Sequence, residues 1–207
     1  DVPTIDSPVA VTVSLELLAP DASGIARSST KLWLFPDEAA IRSSHVMVAS
    51  SWEVVADRIR EGGRAVVIAT DDDALPEGRG VRLDSWDADD DATGWFRSAG
   101  LGWLHPRLTG GLALGPRVDL AFLGITPQYR LRGYGPKRRS DLLAGHYLGW
   151  IRDVTASIAG FRHGDGAGIV CTFPLLEADG RDPVATAVLD RLVEIAADRS
   201  FSPKTEL

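Results

Sequence analysis

A thiolate nucleophile needs an exposed cysteine on a tight turn with an imidazole close by. Cys171 is the only cysteine and lies inside GIVCTF at 168–173, where the glycines of a G-x-C-x-G elbow are missing. It is expected to be an inert core residue. The serine version of the same chemistry is absent too, because no G-x-S-x-G occurs. Glycosidic cleavage uses two carboxylates held roughly 5 to 10 Å apart in a cleft. The glutamates, Glu16, Glu38, Glu53, Glu61, Glu77, Glu177, Glu194 and Glu206, are scattered over expected strands, helices and loops with nothing to pair them. No catalytic residue is assigned.

Binding chemistry has more candidates. Asp87, Asp89, Asp90 and Asp91 would suit a hard cation, but Ala92 and Ser98 stand where a calcium loop needs glycine and glutamate. Asp71, Asp72 and Asp73 follow a strand, where open α/β sheets bind ligands, yet no phosphate-cradling glycines accompany them. His45, His105, His146 and His163 share no metal-ligand spacing. No metal or cofactor is assigned. Of six tryptophans, Trp33 and Trp52 are expected in the core. Trp86, Trp95 and Trp103 fall in an irregular central stretch, with Trp150 near it, and these three are the candidate sugar contacts. Arg130, Arg132, Lys137, Arg138 and Arg139 crowd residues 129–139 of an otherwise acidic chain, which makes them candidate interface contacts.

These residues need elements to hold them. The chain has 207 residues, 44% hydrophobic and 25% charged, which suits a folded core and excludes a disordered tail. A net charge of −7 disfavours nucleic acid and anionic membrane as partners. No apolar run approaches the roughly 18 residues of a membrane helix. With one cysteine there is no intrachain disulfide, and the compartment is not assigned. Beginning at Asp1 without a basic-then-apolar leader, the chain is expected to be a matured product or an excised piece.

Val9, Val11, Val13, Leu15 and Leu17 alternate with Ala10, Thr12, Ser14 and Glu16, the pattern of a half-buried strand. A turn cluster at 20–24 leads into a second extended run ending at Pro36. A short apolar run at 46–49, a helix capped by Ser50 or Ser51 and closed by Gly62-Gly63, and RAVVIAT at 64–70 fit a βαβ unit. VDLAFLGI at 118–125 is expected as a strand, and PQYRLRGYGPKRRS at 127–140 as an exposed, mobile loop. His163-Gly164-Asp165-Gly166 separates two extended runs as a hairpin turn. Asp182-Pro183 opens a helix with Val184, Val188, Leu192 and Ile195 on one face. Val66, Val67, Ile68, Ile169, Val170, Leu189 and Leu192 are expected in one core.

The runs SSHVMVASSWEVVADRIREGGRAVVIAT, GWFRSAGLGW and GHYLGWIRD, and above all GDGAGIVCTFPLLEADGRDPVATAVLDRLVEIA, resemble the C-terminal region of glycoside hydrolase family 2 proteins of the β-galactosidase-like kind. The resemblance covers about residues 45 to 198, and KLWLFP looks like the exit from a family sandwich domain. It implies an α/β fold: a three-layer flavodoxin-like (class I glutamine amidotransferase-like) domain preceded by two β-strands from a truncated β-sandwich. The expected divisions are 1–36 for the strands, 37–44 for a linker, 45–200 for the α/β domain and 201–207 for a tail. The family's catalytic glutamates lie on a barrel that nothing here matches, so the implied role is a non-catalytic accessory module. Its expected partners are the remaining domains of the parent enzyme, a second copy through the amino-terminal strands, and carbohydrate. The alternatives are an autonomous amidotransferase-fold hydrolase with an unrecognised nucleophile and a free-standing sugar-binding module.

Overall fold

The computed structural model describes residues 4–21, 24–37, 42–76, 80–86, 102–134, 136–148 and 153–207. Strands β1 (Val9–Leu18) and β2 (Gly24–Leu34) form an antiparallel pair in register from Val9 opposite Leu34 to Leu17 opposite Ala26. Because side chains alternate across a strand, Val9, Val11, Val13, Leu15, Leu17, Leu32 and Leu34 share one face. Thr12, Ser14, Glu16, Arg27, Ser29 and Lys31 share the other. Towards the turn the apolar face is exposed, Leu15 72% and Leu17 61%, whereas Val9, Val11 and Leu34 at its other end are half-buried.

The remaining strands build one mixed sheet. Strand β3 (Val46–Ala49), helix α1 (Trp52–Arg60) and strand β4 (Arg64–Ile68) form the expected βαβ unit, with Ser51 at the helix N-cap. Further along come β5 (Arg82–Ser85), β6 (Gly102–Leu104), the short helix α2 (Pro106–Thr109), β7 (Tyr129–Arg132), β8 (Leu142–Leu148), β9 (Asp153–His163) and β10 (Gly166–Cys171). Helices α3 (Leu175–Ala178) and α4 (Pro183–Ala197) follow. β4 lies between β3 and β10, all three parallel, and β9 returns antiparallel to β10 across the turn at Gly164, whose φ is +57°. β8 flanks β9 and carries β6; β7 meets β9 through Leu131 and Ala156 and carries β5. A Cβ on Gly166 would lie 2.1 Å from the Ile59 carbonyl oxygen, so only glycine lets β10 start beneath the end of α1.

The fold is mixed α/β, with apolar clusters on two sides of the strands. Val184, Val188, Leu189 and Leu192 of α4 pack with Val66, Ile68, Ile169 and Cys171. Trp52, Val55 and Ile59 of α1 pack with Val67, Val170 and Phe161. The expected single core is thereby corrected: neighbouring strand residues point to opposite faces, so Val67 and Val170 leave the cluster that holds Val66 and Ile169.

Three other expectations change. Residues 118–125 do not form a strand; Asp119 accepts from the Ala121 N–H at 3.1 Å and starts a 3₁₀ turn over Leu120–Ile125. Its three-residue repeat buries Phe122 and Ile125 and leaves Leu120 and Leu123 exposed. Residues 127–140 are not an open loop, since they contribute β7 and a 3₁₀ turn at Pro136–Asp141. The tail is docked: residues 201–207 alternate buried and exposed, the Arg162 N–H donates to the Thr205 carbonyl at 2.7 Å, and the Leu207 N–H donates to the Arg162 carbonyl at 3.0 Å. No helix among the described residues is long and apolar enough to cross a membrane.

Candidate functional site

Three parallel neighbours bring their carboxyl ends to one rim, the place where open α/β sheets hold ligands. Ser50 follows β3, Thr70 and Asp71 follow β4, and Pro174 follows β10. At Pro174 the chain turns sharply, the Leu175 N–H donating to the Phe173 carbonyl at 2.7 Å, and α3 runs alongside this rim. A cavity of about 120 Å³ lies among Ser50, Ile68, Thr70, Asp71, Leu176 and Glu177. A more open one of about 320 Å³ shares Pro174 and Glu177 and reaches Gly124, Arg181 and Asp182.

Local structure fixes most of these groups. Asp182 caps α4, one carboxylate oxygen accepting from the Val184 N–H at 2.8 Å and the Ala185 N–H at 3.1 Å. Its other oxygen lies 2.8 Å from where a Cβ on Gly124 would stand, so glycine permits the 3₁₀ turn to approach. Arg181 donates to the Glu177 carbonyl. Beyond Asp71, the Asp72 carboxylate accepts a hydrogen bond from Tyr129; desolvation, together with Asp72 and Asp71, pushes that phenol above its usual range. The two cavities thus present Asp71, Glu177 and Asp182 against Arg181. Such a set attracts hydrogen-bond donors and cations. Among the described residues no three His, Cys, Asp or Glu converge as a metal site.

Most residues singled out from the sequence lie elsewhere. Trp86 and Arg130 come together in the interior, both fully buried, with the guanidinium 4.7 Å from the indole ring centre. The Trp86 ring meets His146 edge-on at 5.2 Å. Burial lowers the His146 pKa to about 4, and its Nδ1 lies 3.5 Å from the Ser157 Oγ. Trp103 is half-buried against the cluster under α1. Arg132 pairs with Asp84 at 2.7 Å, and Arg138 and Arg139 sit half-buried and exposed on their 3₁₀ turn. The basic run therefore does not form one cationic surface. Trp95, Trp150 and the acidic stretch at 87–91 fall outside the described residues.

Cys171 is fully buried against α4, and burial raises its thiol to about 12. His105 caps α2, its Nδ1 accepting from the Arg107 N–H at 3.0 Å, and His163 Nδ1 is 2.5 Å from the Leu207 carbonyl oxygen. Sequence reasoning missed the Ser157 and His146 pair and the part played by Glu177. The first depends on cross-strand register between β8 and β9, which no local pattern announces. The second had a signal, since PLLE directly follows a strand of the parallel trio. No family model matches the chain, and no curated protein matches it significantly.

Proposed function

We propose that the chain is a non-catalytic accessory module of a glycoside hydrolase family 2-like enzyme acting on O-glycosidic bonds, its α/β part being a three-layer flavodoxin-like domain. The observation that carries this reading is the exposed apolar half-face of the β1–β2 hairpin, Val13, Leu15, Leu17 and Leu32, which calls for a covering sheet from a neighbouring domain. Two further observations support it. Helices α1 and α4 pack on opposite faces of the parallel strands, as a three-layer domain requires. The one cysteine that could serve as an amidotransferase nucleophile is buried, with its thiol raised to about 12, far from the thiolate such chemistry uses.

Residues 1–207 are expected to hydrolyse neither nitrophenyl glycosides nor glutamine. Turnover that disappears on Cys171→Ala would overturn the reading. A second reading, an autonomous hydrolase with an unrecognised nucleophile, draws on the Ser157 and His146 pair. Against it stand the full burial of Ser157, the 3.5 Å separation and an imidazole whose pKa is about 4. Turnover that disappears on Ser157→Ala would establish it.

A further inference from the structure

Strand β8 runs beside β9 only as far as Leu142 opposite Ala159, and beyond that point the edge of β9 takes the tail. Arg162 and Glu206 form a parallel bridge there, held by the bonds that Arg162 exchanges with Thr205 and Leu207. Side chains alternate into this groove: Phe201, Pro203, Thr205 and Leu207 are buried, while Ser202, Lys204 and Glu206 are exposed. The buried Asp141 Oδ2 accepts from the Lys204 N–H at 3.0 Å, the Thr205 N–H at 2.8 Å and the Thr205 Oγ1 at 2.7 Å. Arg64 donates to the Phe201 carbonyl at 2.8 Å, and His163 Nδ1 meets the Leu207 carbonyl oxygen. Gly160 forms the floor, since a Cβ there would stand 2.5 Å from the Phe201 ring and 3.0 Å from Pro203.

The two sides of this contact are built differently. Each wall is fixed by bonds that do not involve the tail. β9 pairs with β10 from Ile158 to His163, Arg64 opens β4 between β3 and β10, and the His163 ring meets Trp52 edge-on at 5.0 Å. Asp141 ends its own 3₁₀ turn, where it also accepts from the Ser140 Oγ at 3.2 Å. The tail, by contrast, has no helix or strand of its own and follows three exposed residues, 198–200, after the end of α4. A preformed sheet edge with an irregular segment laid along it is the arrangement of strand addition, in which backbone bonds hold the ligand and alternate pockets select it. We propose that this edge is a recognition site for an extended segment with an aromatic residue, proline, threonine and leucine at alternate positions. Residues 201–207 occupy it as a detachable strap, and it accepts the same segment from a second copy once its own has left. Thr205 is the selective position, because it supplies Asp141 with a side-chain donor besides its N–H. In dilute solution the tethered segment wins, since a short linker holds it at effectively millimolar concentration. The inference goes beyond the accessory-module reading and does not depend on it.

Hydrogen exchange of the intact chain is the first test. The amides of Arg162, Thr205 and Leu207 are expected to exchange together, at least tenfold faster than those of β10. Exchange at the rate of β10 would make the tail an integral strand and overturn the proposal. The second test titrates a fluorescent peptide of residues 199–207 onto the full chain carrying Thr205→Val and Leu207→Ser, whose own strap is weakened. This variant is expected to bind the peptide at least tenfold more tightly than the unsubstituted chain does. A peptide carrying the same two substitutions is expected to bind it at least tenfold more weakly than the natural one. Equal binding of the two peptides overturns the proposal, and so does a variant that binds neither while its β4 and β10 amides stay protected. Loss of that protection in the variant shows that the fold requires the strap, which overturns it as well.

Discussion

His146 sits beneath Trp86 in a sheet interior where water cannot solvate an imidazolium, so its pKa falls from the ordinary 6.5 to about 4. The unfolded chain takes up a proton as the pH drops through about 6.5, while the native protein stays neutral at this site until about 4. The contribution is therefore complete above about pH 6.5 and is lost as the pH falls toward 4, by about 3 kcal/mol in all. Urea unfolding at pH 7.5 and pH 4.5 should show a smaller acid loss in His146→Gln than in the parent chain, and parallel losses in both would remove His146 as the cause. Nothing in the sequence distinguished this histidine from the other three, because its environment is made by Trp86 and Ser157, which are distant in the chain. Arg130 was hidden for the same reason. In a run of five cations alternation could not single it out, because Arg130 and Leu131, on opposite faces of β7, are both fully buried, while Arg132, on the face of Arg130, is half-buried.

Helix α4 was legible because every cue to it is local. Asp182 caps it, Pro183 opens it, and four apolar residues repeat at helical spacing. Leu192 is fully buried in the cluster that also holds Val66 and Ile169, so Leu192→Ala is expected to cost about 2 to 5 kcal/mol, read as a lower denaturation midpoint. The β9–β10 turn was equally local. Residues 118–125 were not legible, since a continuous apolar run suits a buried strand and a three-residue repeat alike, and Asp119 decides between them by capping. The docked tail also lacked a cue, for its register is set by Asp141, which accepts from the Thr205 N–H at 2.8 Å and the Thr205 Oγ1 at 2.7 Å. Close approach between elements gives a second prediction. Gly166→Ala puts a methyl against the Ile59 carbonyl and should destabilise by about 3 kcal/mol, the upper end of the usual cost of overpacking. Gly115, with nothing within 4 Å of a built Cβ, should accept alanine within about 0.5 kcal/mol. Equal effects at the two sites would mean that α1 and β10 separate freely.

Each apolar cluster of the α/β part is closed by its own helix, whereas β1 and β2 form a sheet of two strands among the described residues and show Leu15, Leu17, Leu18 and Leu32 to solvent. The alternation that produces this face was plain in the sequence; what covers it depends on surface outside the ribbon. Magnitude decides how well a second copy would serve. Two strands of about ten residues, at 3.4 Å per residue and 4.8 Å between strands, present roughly 330 Å² per face, so two ribbons face to face bury about 650 Å². Stable interfaces begin near 1,200 Å². Self-pairing through this face is therefore weak, whereas a covering sheet in the same polypeptide buries as much without a bimolecular association. Light scattering should accordingly show a monomer at low micromolar concentration, with dimer only as concentration rises. Amides of β1 and β2 should exchange much faster than those of β4 and β10, because a lone two-stranded ribbon is marginal in water. Arg42 pins the chain that follows the ribbon, donating to Asp179 at 2.6 Å through two nitrogens and to Asp190 at 2.5 Å. Phe35 already packs on the cluster under α4. Deleting residues 1–34 keeps both anchors, so the melting temperature of the α/β part should be unchanged and its solubility higher. A lowered melting temperature, or slow exchange at Val11 and Val13 in a monomer, would mean that the ribbon docks on the α/β part and needs no outside sheet.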